Sequence, residues 1–294
     1  AAQLFATVEL PVLPVVDEQG RLRGLISRAD VASALCHALR PSRVAGMSTP
    51  LGVYLTSGAH RGGANDFGLF LTGAAMAILL FIAQFMVKIA FHIVDITTGL
   101  NLLSLYQDAG ELMLQSDLAM SVSALGMLLQ VIFFFALMRM LPLAGYHGAE
   151  HKVVHAIERG EMLTAERVLS MPRVHPRCGT NIVAMILLFL TIYFGRPSMW
   201  LTIILVGVVV LTWRRLGMLL QALFTTKNPT PKQLESALRA GRELLAHYHE
   251  RPNYRPPFVV ALWNMGFIQA FAGFGTMHFL GVVCSWIIDH FIVV

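Results

Sequence analysis

Long uninterrupted apolar runs constrain this chain more than any other feature of its sequence. From Phe67 to Val94, and again from Leu118 to Leu141, nearly every residue is apolar, and a helix needs about 20 such residues to cross the hydrocarbon of a bilayer. The segment Ile182–Trp213 is apolar apart from a break at Gly195-Arg196-Pro197, so each arm is short for a crossing and a tight hairpin or re-entrant pair is expected. Phe258–Val294 is too long for one perpendicular helix and barely long enough for two, with the glycines around Gly273 offering a turn. With 56% hydrophobic and 13% charged residues, the chain is suited to lipid rather than water as its main solvent.

The net charge of +5 does not point to nucleic acid, because Lys and Arg are scattered between apolar runs instead of forming a dense patch. Their distribution predicts orientation instead. Between the first two spans, Asp95, Asp108, Glu111 and Asp117 occur with no Lys or Arg, whereas Pro142–Asn181 carries Lys152, Arg159, Arg167, Arg173 and Arg177, and Arg214–Pro257 is also basic. Positively charged loops stay on the cytosolic side, so both basic segments and the N-terminus are expected there and the acidic loop outside. Cys36, Cys178 and Cys284 form no CxxC pair or disulfide framework, which suits reducing surroundings. No signal peptide is visible in Ala1–Arg40.

Ahead of the first span, Val12–Val16 and Leu22–Ile26 flank Asp17-Glu18-Gln19-Gly20, a hairpin pattern, and Ala29–Leu39 reads as a helix. Pro229–Tyr254 reads as an amphipathic helix opened by Thr230-Pro231, with Leu234, Leu238 and Leu244–Leu245 on its apolar side. The expected fold is therefore mainly α: a polytopic helical membrane protein, residues 41–294, preceded by a small α+β module, residues 1–40. The polar line Gln84, Lys88 and His92 on the first span is either functional or lets Lys88 reach the surface to pair with Asp95.

The segment 142–181 carries the chemistry. His147-Gly148-Ala149-Glu150-His151 places two imidazoles at i and i+4 on one helix face with a carboxylate beside the second. Two such histidines can ligate zinc, and Glu150 is placed as a general base. A third ligand is available from His175-Pro176-Arg177-Cys178, while His155 and Glu158 continue the same helix face as reserves. Arg177 or Lys152 are the candidates for steadying an anionic substrate.

The stretch Tyr146–Lys152, Leu163–Glu166 and His175–Thr180, with Thr225–Pro229 and Gln233–Glu235 downstream, resembles the YqhQ-type bacterial membrane proteins, a family of unknown function described as predicted metal-dependent enzymes. The resemblance implies His147, His151, His175 and Cys178 as the metal group, Glu150 as the acid/base, and a location in the bacterial cytoplasmic membrane. Leu13–Asp17 and Gly24–Asp30 resemble the second half of a CBS domain, which implies an adenine nucleotide contacted by Ser27 and Asp30; capping of the following helix is the alternative role for both. The functional expectation is a metal-dependent, zinc-type hydrolase acting at the cytosolic membrane surface on a lipid-linked or membrane-protein substrate. Glu150 takes a proton from a water that the metal acidifies. The rival is a non-enzymatic membrane subunit or transporter with a structural metal site, which four protein ligands would favour and an open fourth position would disfavour.

Overall fold

The computed structural model describes residues 11–32, 40–107, 117–195 and 198–291. The N-terminal hairpin forms as the turn sequence requires: β1 (Val12–Val16) pairs antiparallel with β2 (Leu22–Ser27), and Asp17 closes the turn by accepting the Gln19 and Arg21 amides. Helix follows at residues 28–32, and the rest of the expected Ala29–Leu39 helix lies outside the described residues.

A second sheet was not legible in the sequence. Strands β3 (Ala45–Thr49), β4 (Gly52–Thr56) and β5 (Arg61–Gly63) form an antiparallel meander in the order β3-β4-β5. Every residue of β4 is buried, because helices cover the sheet. The long helices are α1 (Asp66–Thr98), α3 (Asp117–Met140), α6 (Gly179–Gly195), α7 (Met199–Leu220) and α10 (Phe267–Phe291); α2 (Leu102–Gln107) lies between α1 and α3. Around the sheet are α4 (Leu143–Glu158), α5 (Ala165–Ser170), α8 (Pro231–Glu250) and α9 (Phe258–Asn264).

Among the described residues, four helices are long and apolar enough to cross a membrane: Asp66–Thr98, Leu118–Met140, Met199–Thr225 and Phe267–Cys284. The chain is thus a mainly α, polytopic helical membrane protein. The first two spans fall where expected. The third corrects the sequence reading, since its helix continues beyond Trp213 through a π-helical turn at Gln221–Thr225 and is no longer short. Its partner α6, with 17 residues, is about 26 Å long and just short of a full crossing. The two pack against each other on either side of the break at Gly195-Arg196-Pro197. In the C-terminal segment the turn falls at Gly266, with φ of 81°, and Gly273 lies inside the single helix α10.

Asp95 is also used differently from expectation. Its carboxylate accepts the amides of Leu102 and Leu103 at 2.7 and 2.9 Å and so caps α2, while Gly99 ends α1 in the left-handed conformation.

Outside the membrane, Val44, Val53, Leu55, Val153, Ile157, Val168, Leu238 and Leu244 belong to one core formed by the second sheet, α4, α5 and α8. Helix α8 starts with the capping box expected from Thr230, in which Thr230 Oγ1 accepts the Gln233 amide and Gln233 Oε1 accepts the Thr230 amide. Its buried residues Leu234, Ala237, Leu238, Gly241 and Leu244 repeat at helical spacing and face that core. The start of α1, the end of α3, the start of α6, the end of α7 and the start of α10 all meet this polar unit, so the candidate site lies at one end of the helix bundle.

Candidate metal centre

Helix α4 follows directly after α3 and is buried along most of its length, so its His147/His151 face points into protein. The backbone of residues 225–227 lies across it, with Lys227 N–H donating to Ala144 O at 2.7 Å. Gly148 permits this approach, because a Cβ there would strike the Lys227 carbonyl. The same crossing segment provides the first orienting contact: His147 Nδ1 donates to Thr225 O at 2.9 Å. One turn along the helix, His151 Nδ1 donates to Arg173 O at 2.7 Å. With Nδ1 protonated on both rings, each Nε2 carries the free lone pair. A backbone carbonyl fixing the far nitrogen of a histidine is the usual outer support of a metal-ligating imidazole.

The third donor is Cys178. Its Sγ lies 3.3 Å from His147 Nε2 and receives the Thr180 amide at 3.4 Å. Ligand atoms of His147, His151 and Cys178 all lie within 4.8 Å of one another. Two imidazoles and a thiol with this convergence and this outer support fit a zinc-type ion by donor chemistry.

His175, the other residue of the expected ligand set, is beside the trio and not in it. Its Nδ1 accepts the Arg177 amide at 3.2 Å and its Nε2 faces Glu158 Oε2 at 3.6 Å. Gln221 holds the residue there through both backbone groups, accepting the His175 amide at 2.8 Å and donating to its carbonyl at 3.1 Å. Burial pushes the His175 imidazole down to about 4, so it is a neutral ring. The reserve ligands are engaged elsewhere: His155 Nε2 donates to Val174 O, and Glu158 accepts the Val44 amide and Arg177.

Glu150 occupies the floor of the site. Its side chain is buried against β3, and a Cβ on Gly46 would come within 2.6 Å of its Oε1, so glycine at that strand position makes room for the carboxyl. Burial raises the Glu150 pKa to about 8, the charge of His147 working against the rise and that of Cys178 with it. Burial thus favours the protonated carboxyl, and a group that can both hold and release a proton is what a general acid/base requires. Burial also lowers the His151 imidazole well below its ordinary value and raises the Cys178 thiol.

Lys152, a candidate for substrate binding, proves structural. Its Nζ donates to Leu169 O and Met171 O, closing the end of α5 and holding the loop that presents Arg173 and His175. Arg177 is paired with Glu158. The residues that sequence reasoning missed are Gln221, Thr225, Gly46 and Arg43. Thr225 falls in the Thr225–Pro229 stretch of the family resemblance, which assigned it no role. A π-helical turn beside a functional site is a recurrent association, yet no sequence pattern marks one.

The trio and Glu150 open on a cavity of about 590 Å³ that His175, Arg177, Thr225 and Arg43 also line. Ser27 and Asp30 do not line it. In the N-terminal module Asp30 Oδ2 accepts both the amide and hydroxyl of Ser27 at 2.7 Å, and Ser27 Oγ accepts the Asp30 amide at 3.1 Å, a reciprocal cap at the helix start.

Comparison with known proteins gives a relative and a family, both without an established function. The uncharacterized protein YqhQ of Bacillus subtilis (strain 168) is 31% identical in a match covering 42% of this chain and 48% of the relative, so the match spans about half that protein's length. No solved structure matches. The model of the family described as "Protein of unknown function (DUF1385)" matches residues 22–213, which take in the first two spans, α4 and the whole His147–Cys178 segment. On that match, the chain belongs to the DUF1385 family, the YqhQ-type proteins.

Proposed function

We propose that this protein is a zinc-dependent hydrolase working at the cytosolic surface of the bacterial cytoplasmic membrane, on a lipid-linked or membrane-protein substrate. The observation that carries the reading is the convergence of His147, His151 and Cys178 within 4.8 Å, one helical position from the buried carboxyl of Glu150. A zinc ion held by the three residues supplies Lewis acidity, polarising a carbonyl or phosphoryl oxygen and acidifying water. Thr225 O and Arg173 O hold the two imidazoles in the ligating tautomer, and Glu150 accepts the proton of the attacking water and returns it to the leaving group. Strand β3 covers the Glu150 carboxyl, which is buried. Three converging donors, with His175 held away by Gln221, favour an open coordination position, and hence catalysis over a closed structural site. Ester and phosphoester hydrolysis assayed in membranes should be abolished by chelation and restored by added zinc. Hydrolysis indifferent to chelation would contradict the reading.

The orientation follows from charge. The polar unit at the site end of the bundle is basic, and Asp95, with α2, lies at the other end. A single cysteine introduced at the exposed Gln107 of a cysteine-free chain should react with an impermeant maleimide in intact cells. Reaction only after permeabilisation would invert the topology. An adenine nucleotide at Ser27 and Asp30, bound when a complete partner half of the CBS-like unit is present, is the corresponding proposal for the N-terminal module; unchanged nucleotide affinity in Asp30→Ala would remove Asp30 from the site.

A further inference from the structure

The cavity beside the metal donors has two chemically different ends. At one end stand the His147, His151 and Cys178 donors, Glu150 and the Thr225 hydroxyl. At the other, the lining comes from the membrane helices: Thr72 and Met76 of α1, Met138 near the end of α3, Met265, and Phe267 at the start of α10. The Thr72 hydroxyl is already bonded to Ser48 O and Gly68 O, and the other side chains of this wall are apolar, which suits a hydrocarbon better than a sugar or peptide. Met265 and Phe267 are 45% and 50% exposed at the level where α10 enters its candidate span, so the apolar end opens sideways toward lipid.

Among the described residues, two polar groups at the donor end of the cavity lack partners. Thr225 Oγ1 is buried with no hydrogen-bond partner, a cost that a ligand would relieve. Arg43 is exposed and makes no hydrogen bond or ion pair among the described residues, unlike Arg177, whose charge Glu158 offsets. Among the described residues, Glu150 is the only carboxyl lining the cavity.

We propose that this cavity seats one membrane lipid with an anionic head, the head at Arg43 and Thr225 beside the metal donors and a hydrocarbon chain between α1, α3 and the start of α10. As a statement about the substrate it rests on the hydrolase reading; as a statement about binding it does not. The volume of about 590 Å³ lies within the roughly 300–1,000 Å³ typical of small-molecule sites. Methionine suits the chain end, since its flexible thioether adapts to hydrocarbon of varied shape.

The test uses the full chain in phosphatidylcholine nanodiscs carrying a trace of lipid with a photoactivatable group in mid-chain. The head is either phosphatidylglycerol or phosphatidylcholine, and labelled peptides are mapped by mass spectrometry. Phosphatidylglycerol should label the peptides containing Met76, Met138 and Met265 about fivefold more than phosphatidylcholine, the equivalent of one exposed charge contact. Arg43→Gln should erase the difference, and Met76→Trp should block labelling of the groove by filling the chain's path. Millimolar glycerol 3-phosphate should not compete. Equal labelling by the two heads, or a preference surviving Arg43→Gln, would overturn the proposal, and displacement by glycerol 3-phosphate would replace it with a site for soluble phosphate. Since Arg43 is on the surface, that arm stands even if Met76→Trp fails to fold. Labelling reads binding and not turnover, so a protein that binds lipid yet hydrolyses nothing would sink the hydrolase reading alone.

Discussion

Protein carrying His147→Ala is expected to purify with less than about a tenth of the zinc held by the wild type, and to be inactive, because two remaining donors cannot close a chelate of comparable strength. His151→Ala should behave in the same way. Glu150→Gln should retain full metal and lose about 10²- to 10⁴-fold in activity, the usual range for a missing general acid/base. Metal content by mass spectrometry and turnover by the same substrate assay separate the two classes. Stoichiometric zinc in the His147/His151 double variant would exclude this centre. The pH dependence should report the Cys178 thiol more than the His151 imidazole. Burial holds His151 neutral to well below its ordinary pKa, whereas it raises Cys178, so the metal must displace a proton from Cys178. Affinity should fall about tenfold for each unit of pH below neutrality, one proton being bound for each ion released. A flat profile from pH 8 to 6 would mean that Cys178 is not a ligand.

Gly73→Val should be the most destabilising single change in the membrane part. A Cβ at Gly73 would run into the Ala270 carbonyl, and one at Gly273 into the Phe70 carbonyl, so α1 and α10 cross with each backbone against the other's glycine. Helices in lipid gain stability from such close approach, there being no hydrophobic drive to bring them together. Either valine forces the backbones apart, at a cost of about 3 kcal/mol or more. The expected readout is a loss of monodisperse protein in mild detergent and a lowered unfolding midpoint. Gly275→Val is the control on α10, since nothing lies within 4 Å of a Cβ there; if it is as damaging as Gly273→Val, helix propensity and not the crossing is responsible.

Several features were already determined by local sequence. The apolar runs before Val94 and Leu141 specify α1 and α3 because, in lipid, a backbone can satisfy its own polar groups only by forming a helix. Thr230-Pro231 with Gln233 specifies the start of α8 through a cap built within four residues. His147 and His151 share a face by helical geometry alone. The second sheet was not legible, because β3 to β5 are three to five residues long, contain Gly46, Gly52, Gly62 and Gly63, and become strands only when α4 and α8 bury them.

The choice between His175 and Cys178 lay equally beyond the sequence. The two are three residues apart on one turn, and either is a competent zinc ligand. Gln221, 46 residues downstream in a π-helical turn at the end of a membrane helix, holds the His175 backbone, while Glu158 faces its ring, so that Cys178 turns toward His147. Spacing along the chain fixes what can share a face of one element. Which donor enters the centre depends on hydrogen bonds between distant elements, and these exist only once α4, the 171–178 loop and the end of α7 have packed.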